Sequence, residues 1–118
     1  SSLSLNASGS ISEKELSKTA YYDLMQDYVC STTIRIARDA FALLPVNTVI
    51  VHAVDNILNT ATGYEEEQTL LSVKFDRDKI MSLNMGMIDP SDALSQFEHN
   101  MKFKKTMGFD PVSRIEAG

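Results

Sequence analysis

An acidic residue and a lysine on neighbouring segments could serve a metal-dependent nuclease. Such a site needs an Asp at the start of a hairpin, then an acidic residue and a Lys two positions apart on the next strand. The carboxylates bind a divalent metal, and the lysine helps to activate water or to stabilise charge. Asp55 fits the first position and Lys74 the last, but Ser72 stands where the second carboxylate is needed. A nuclease-like domain with this degenerate site is therefore the alternative hypothesis for function.

The two histidines and the single cysteine favour structural roles over catalysis. His52 lies in an apolar segment typical of a strand, so a hydrogen-bonded structural histidine is expected. His99 stands between Glu98 and Asn100 near the expected end of a helix, where the helix dipole favours a cation. Cys30 has no second cysteine for a disulfide, and no local motif would lower its pKa. We therefore predict no catalytic residue, metal or cofactor, and the absence of disulfides favours a reducing cytoplasm.

The charge of the chain argues against nucleic acid as a partner. The 118 residues carry a formal net charge of −5, whereas affinity for polyanions comes mostly from Lys and Arg. The stretch Lys102-Phe103-Lys104-Lys105 combines cations with an aromatic ring, as some nucleic-acid binders do, but it holds only three charges. Residues 65–67 are glutamates, and such a run usually forms a solvated surface. No apolar stretch reaches the roughly 18 residues of a membrane span, so no membrane association is expected.

Some apolar side chains have no evident place in a core and are candidates for contact with a partner. Five of the six methionines follow residue 80 and could form an adaptable contact surface. Core filling is the other explanation for them, and a small-ligand pocket is a third hypothesis. Leu70 lies on the face of the predicted hairpin that a single helix leaves uncovered. The predicted interaction residues are Leu70, Met85, Met87 and Phe103.

The N-terminal third of the chain is typical of a long amphipathic helix. Ser12 and Glu15 have the spacing of a capping box, and nothing breaks the helix before Pro45. Apolar residues recur at steps of three and four, but their phase shifts near Cys30, where poor helix formers predict a bend or two abutting helices. This stripe is expected to cover a sheet. It comprises Leu16, Ala20, Leu24, Tyr28, Cys30, Ile34, Ala37, Phe41 and Leu44.

Two β-branched segments predict an antiparallel hairpin. Residues 46–54 are largely apolar at both parities, as in a strand buried on both faces, and residues 68–75 alternate more clearly. Residues 59–63 have turn chemistry and end in a glycine that can adopt a positive φ. Two strands alone make a marginal sheet, so either a C-terminal helix or a partner must cover the second face.

Short helices are predicted after the hairpin. Asp76 is a candidate N-cap for a helical turn over residues 76–83, and Asp89 followed by Pro90 is a stronger start signal. Irregular structure or a short strand is expected around residues 107–112. The apolar face of the second helix is predicted at Ala93, Leu94, Phe97 and Met101.

These elements predict a single domain of the α+β class. A small antiparallel sheet is packed by a long N-terminal helix and a shorter C-terminal helix, in the order α–β–β–α. The domain spans residues 13–118 and follows a flexible linker over residues 1–12, which hold six serines. We expect the chain to be excised from the C-terminal part of a longer protein.

Four short motifs resemble the C-terminal modules of larger uncharacterised bacterial proteins. They are Ala40-Phe41-Ala42-Leu43-Leu44-Pro45, Thr62-Gly63, Leu71-Ser72-Val73 and Ile88-Asp89-Pro90-Ser91-Asp92-Ala93. The resemblance implies a bacterial C-terminal domain and no activity. The predicted function is a non-catalytic interaction or assembly module that binds a protein partner or further copies of itself.

Overall fold

The computed structural model describes residues 10–117, with side chains described from Thr19 onward. The four strands form one antiparallel sheet in the order β1-β2-β3-β4, so each strand pairs with the next along the chain. The predicted α+β class, with an antiparallel sheet and a long N-terminal helix, is confirmed. The elements are α1 Ser10–Leu43, β1 Thr48–Asn59, β2 Tyr64–Asp76, α2 Arg77–Met81, α3 Pro90–Leu94, β3 Glu98–Lys104 and β4 Gly108–Asp110.

α1 is a single continuous helix of 34 residues rather than two abutting helices. Two of its three poor helix formers bond within the helix: Ser31 Oγ donates to the carbonyl of Tyr28 at 3.2 Å, and Thr33 Oγ1 donates to that of Val29 at 2.7 Å. The helix begins at Ser10, two residues before the predicted start. Residues 1–9 of the predicted linker and the side chains of the predicted capping box lie outside the described part of the chain.

One face of α1 closes the core against the sheet. Its buried residues recur at helical spacing and pack against alternate residues of β2, because successive side chains of a strand point to opposite faces. The rings of Phe75 and Phe97 meet edge to face with centroids 4.9 Å apart. The core comprises Cys30, Ile34, Ala37 and Phe41 from α1, Leu71, Val73 and Phe75 from β2, Ile80 from α2, Ala93 and Leu94 from α3, and Phe97.

The hairpin of β1 and β2 continues beyond the predicted strand ends. Its pairing extends to Asn59 opposite Tyr64. The turn closes because Asn59 Oδ1 accepts from the backbone N–H of Ala61 at 2.9 Å and Gly63 adopts a φ of 81°. The predicted turn is thus confirmed, and both strands are longer than expected.

A β-bulge divides this hairpin into two parts. Ala53 pairs with Leu71 but Val54 pairs with Thr69, so Leu70 is an extra residue on β2. Before the bulge the strands lie against the core. Beyond it, residues 54–68 are exposed apart from the half-buried residues 59 and 68. We call residues 54–68 the hairpin arm.

The short helices begin where predicted. Asp76 caps α2, its Oδ2 accepting from the backbone N–H of Lys79 at 3.0 Å. Asp89 caps α3 by accepting from the backbone N–H of Asp92 at 3.3 Å. α3 ends at Leu94, however, and does not reach Met101 as predicted.

β3 occupies the region that was expected to complete the C-terminal helix. Phe97, His99, Met101 and Phe103 alternate with polar residues, which is the period of a strand. Two of these four residues, Phe97 and Met101, also have helical spacing, so the local pattern is ambiguous. The open edge of β2 decides it, because β3 pairs there with Met101 opposite Leu71. The short strand expected around residues 107–112 is present as β4.

Arg77 fastens the end of α1 to the start of α2. Its Nη2 donates to the carbonyl of Leu44 at 2.6 Å, its Nε to that of Val46 at 2.7 Å, and its backbone N–H to that of Asn47 at 2.9 Å. The guanidinium also lies 5.0 Å from the ring centroid of Phe41. Arg77 therefore binds both ends of the segment that connects α1 to β1.

Candidate interaction surfaces

Ser72 and His52, two residues that could do chemistry, form a hydrogen-bonded cluster on the face of the sheet opposite α1. Ser72 is fully buried on the face of β2 opposite α1, and its Oγ lies 2.9 Å from Nδ1 of His52 on the neighbouring strand. The backbone N–H of Ile115 donates to the same oxygen at 2.9 Å. The hydrogen bond predicted for His52 is therefore present. A hydroxyl that is enclosed in this way has no access to a substrate.

The C-terminal segment covers this second face of the hairpin. The backbone N–H of Val112 donates to the carbonyl of Thr69 at 2.8 Å, and Arg114 Nε donates to Thr69 Oγ1 at 2.7 Å. Asn100 Nδ2 donates to the carbonyl of Ser113 at 2.9 Å. We call residues 111–117 the C-terminal strap. The sequence indicated a helix or a partner as the cover here, and the strap takes that place instead.

The two residues of the nuclease hypothesis are not brought together. Asp55 lies in the hairpin arm opposite Gln68, and its Oδ1 accepts from the backbone N–H of Asn56 at 2.8 Å. Lys74 lies at the other end of the hairpin opposite Ile50. Five residues of β1 separate these positions, or roughly 16 Å at about 3.3 Å per residue. A metal held by Asp55 would be out of reach of Lys74.

Cys30 and His99 are both engaged within the fold. Cys30 is fully buried in the core, and burial, followed by the nearby carboxylates of Asp27 and Asp89, raises the pKa of its thiol to about 12. His99 lies in β3 rather than at a helix end, and its Nδ1 donates to the carbonyl of Phe97 at 2.8 Å. Among the described side chains, no three His, Cys, Asp or Glu residues are grouped as they would be to hold a metal ion.

The four predicted interaction residues lie on different parts of the molecule. Leu70 is the half-buried bulge residue of β2. Met85 and Met87 are exposed in the loop between α2 and α3. Phe103 lies in β3, with its ring edge to face against Phe109 at 5.2 Å. The four residues thus belong to three separate elements.

In the basic stretch of residues 102–105, the lysine side chains and the aromatic ring lie on different faces of the sheet. Lys102 and Lys104 are exposed on β3, and Phe103 between them is half-buried. Adjacent strand residues point to opposite faces, so the aromatic ring does not share a face with these two lysines. Stacked bases and phosphate contacts would therefore fall on different faces of the sheet.

The hairpin arm is an acidic surface with apolar side chains. It has four acidic and no basic residues. The salt bridge between Glu67 and Arg114 of the C-terminal strap, at 3.7 Å, is exposed and so worth little in stability. A protein partner for the arm would have to be basic. The exposed apolar residues of the arm are Val54, Ile57, Leu58 and Tyr64.

Several large apolar side chains are exposed on the side of α1 that faces away from the core. Tyr21, Leu24, Tyr28 and Ile36 are 57%, 68%, 69% and 50% exposed. At 100° per residue they lie about a third to half a turn from the buried stripe. Thr32 lies among them, and its Oγ1 has no hydrogen-bond partner among the described atoms. We call the following residues the outer face of α1: Tyr21, Leu24, Tyr28, Thr32, Arg35, Ile36 and Asp39.

This surface corrects the predicted helical stripe. Cys30, Ile34, Ala37 and Phe41 are buried as expected, but Ala20, Leu24, Tyr28 and Leu44 are exposed. The phase shift near Cys30 does not mark a bend that keeps one stripe continuous. It marks the change from a stripe on the outer face to a stripe on the core face. The sequence contains both stripes, but their spacing does not say which of them the sheet covers.

No known protein family, curated protein or solved structure shows significant similarity to this chain. Within residues 10–117, none of the helices has the length and apolar character needed to cross a membrane. The surfaces described above are therefore the grounds for assigning a function.

Proposed function

We propose that this protein is a non-catalytic interaction and assembly module that associates with further copies of itself. The observation that carries this proposal is the outer face of α1, with four large apolar side chains at least half exposed on one helix. A folded monomer gains nothing by exposing such a stripe, whereas contiguous exposed apolar patches mark sites of protein contact.

The chemistry of the remaining residues supports the same function. The groups that could react, such as Ser72, His52 and Cys30, are hydrogen-bonded within the fold or enclosed in its core. These groups help to hold the sheet, the C-terminal strap and α1 together. Assembly requires no reactive group, only an exposed surface such as the outer face of α1.

The proposal is tested by light scattering or sedimentation over a wide range of concentrations. We expect the weight-average mass to rise from that of the 13.1 kDa chain toward twice that value. Added salt should weaken this association little, because apolar contacts are less sensitive to salt than contacts between charges. A mass that stays at the monomer value at the highest attainable concentration would count against the proposal.

The nuclease hypothesis is checked by calorimetry. Titration with Mg²⁺ or Mn²⁺ should give no specific heat of binding, since Asp55 and Lys74 are roughly 16 Å apart along the strands. Saturable binding that is lost in Asp55→Asn would revive the hypothesis.

The setting of the module is also a proposal. We place it in the cytoplasm because its one cysteine forms no disulfide. A role as the C-terminal part of a larger bacterial protein stays a prediction from the resemblance given above.

A further inference from the structure

The outer face of α1 has a spacing that reads the same in both directions. Its residues at positions 21, 24, 28, 32, 36 and 39 are separated by steps of three, four, four, four and three. An antiparallel second helix with the same sequence therefore places each of these six residues opposite another of the six, whereas Arg35 of the same face lies opposite Met25. Self-complementarity of this kind is the requirement for a two-fold symmetric interface.

The residues that such an arrangement would place opposite one another are chemically compatible. Leu24 would meet Ile36, which buries two apolar side chains that are exposed in the single chain. Tyr21 and Asp39 lie nine residues from the centre of the contact and flank it without bonding to each other. Tyr28 would meet Thr32 at the centre of the contact.

The central residues of this face also form a ridge that can pack against a second helix. Leu24, Tyr28, Thr32 and Ile36 are four residues apart and lie along one row of the helix surface. When such rows on two helices fit into each other's grooves, the axes cross at about 50°, the commonest packing in globular proteins. The ends of the helices then diverge, so the interface is small and the dimer belongs among the weaker protein contacts.

Charge permits a second copy at this surface. The chain has a net charge of −5, and the hairpin arm concentrates four acidic residues, so most approaches of two copies are repulsive. The outer face of α1 contains one cation, Arg35, and one anion, Asp39, and is therefore neutral. Two copies meet there without like-charge repulsion.

We propose that two copies of this protein pair through the outer faces of α1 in antiparallel orientation, about a two-fold axis between Tyr28 and Thr32. This inference rests on the proposed assembly function, because it names the surface and the partner through which that function is exercised.

Site-specific cross-linking tests the orientation and the register. Leu24→Cys and Ile36→Cys are prepared separately and treated with a short ethane-bridged bismaleimide, alone and mixed. In the proposed dimer each introduced thiol faces the other variant's thiol across a helix pair spaced about 8–10 Å. Two copies of the same variant would hold their thiols roughly 18 Å apart along the helices. The mixture should therefore give several-fold more cross-linked dimer than either variant alone.

Cys30 does not interfere with this measurement. It is fully buried on the core face of α1 and its thiol pKa is raised, so the unmodified protein under the same conditions gives the background. Self-cross-linking of Leu24→Cys, equal to that of the mixture, would contradict the antiparallel register and overturn the proposal.

A matched pair of polar substitutions tests the surface. Leu24→Gln and Leu58→Gln both replace an exposed leucine, 68% and 56% accessible, and neither touches the core. Leu24→Gln should weaken self-association roughly tenfold or more, because each dimer loses two buried leucines. Leu58→Gln, in the hairpin arm, should leave it unchanged.

The outcomes separate this proposal from the one on which it rests. A protein that is monomeric at every concentration overturns both. A protein that dimerises, but whose dimer resists Leu24→Gln and gives no mixed cross-link, retains the assembly function and loses this interface. Loss of dimer with Leu58→Gln alone would place the contact on the hairpin arm and would likewise overturn the inference.

Discussion

Ile34 and Ile36 are two residues apart on α1 and lie in opposite environments. Ile34 is fully buried against the sheet, whereas half of Ile36 is exposed on the outer face. The two positions share residue type, helix and neighbourhood in sequence, so the difference between them is one of packing alone. The comparison shows that one stripe of α1 is sufficient for the fold and that the other is available for a partner.

The strongest test of this comparison is to shorten both isoleucines. Ile34→Ala should lower the free energy of unfolding by about 2–5 kcal/mol, because it leaves a cavity in a closed core. Ile36→Ala should change it by at most about 0.5 kcal/mol, as is usual for exposed positions. Urea denaturation below the concentration of self-association measures both. Equal losses would mean that the outer face is already part of the fold.

A second test concerns the flank of α1 that contacts β4. Gly108 has a φ of 83°, and a Cβ there would lie 3.0 Å from the ring of Tyr22. Gly108→Ala should therefore cost about 2–3 kcal/mol of stability, from left-handed backbone strain and displacement of the ring. Gly63 has nearly the same φ, 81°, but open space around it, so Gly63→Ala should cost only about 1 kcal/mol. Thermal denaturation of the two variants separates strain from packing.

The third test extends the comparison to the second face of the sheet. Ser72→Ala removes the oxygen that accepts from the backbone N–H of Ile115 and contacts His52. Leaving buried polar groups unpaired costs about 1–3 kcal/mol, and hydrogen exchange of the Ile115 amide should accelerate. Ser113→Ala is the matched control in the strap, since only its backbone carbonyl is engaged. If Ser72→Ala behaved like the control, the strap would not belong to the folded unit.

The last test uses the titration of Cys30, whose effect is absent at neutral pH. Its pKa is raised from 9.0 to about 12 by burial, so between these values the folded chain keeps a proton that the unfolded chain loses. Stability must then fall as the pH rises from about 9 to about 12, by up to about 1.4 kcal/mol per pH unit. Cys30→Ala should show a correspondingly shallower fall in chemical denaturation at several alkaline pH values. Identical slopes would show that the thiol is not enclosed.

The sequence predicted the elements that have local signals. Asp76 and Asp89 were identified as helix caps, and the turn that ends at Gly63 closes the predicted hairpin. The buried apolar residues of α1 were also predicted from Cys30 onward, because their spacing is helical; buried Thr33 was not. Caps, turns and stripes depend on neighbouring residues, so one sequence is enough to find them.

The remaining features depend on contacts between distant segments. β3 was assigned to a helix because Phe97 and Met101 fit helical spacing, and only the unpaired edge of β2 selects the strand. The strap has no periodic pattern, and its position follows from hydrogen bonds to Thr69 and Ser72. Exposure of Leu24 and Tyr28 could not be deduced either, since an apolar stripe does not state which side of a helix the sheet will occupy.

The three hydrogen bonds of Arg77 have a mechanical consequence. They join the carbonyls of residues 44, 46 and 47 to the first residue after β2, so they bear tension in parallel when α1 is pulled. The segment between α1 and β1 cannot lengthen until all three hydrogen bonds break together. A pull that neighbouring molecules exert on α1 would therefore be delivered to the hairpin of β1 and β2 and not absorbed by the loop.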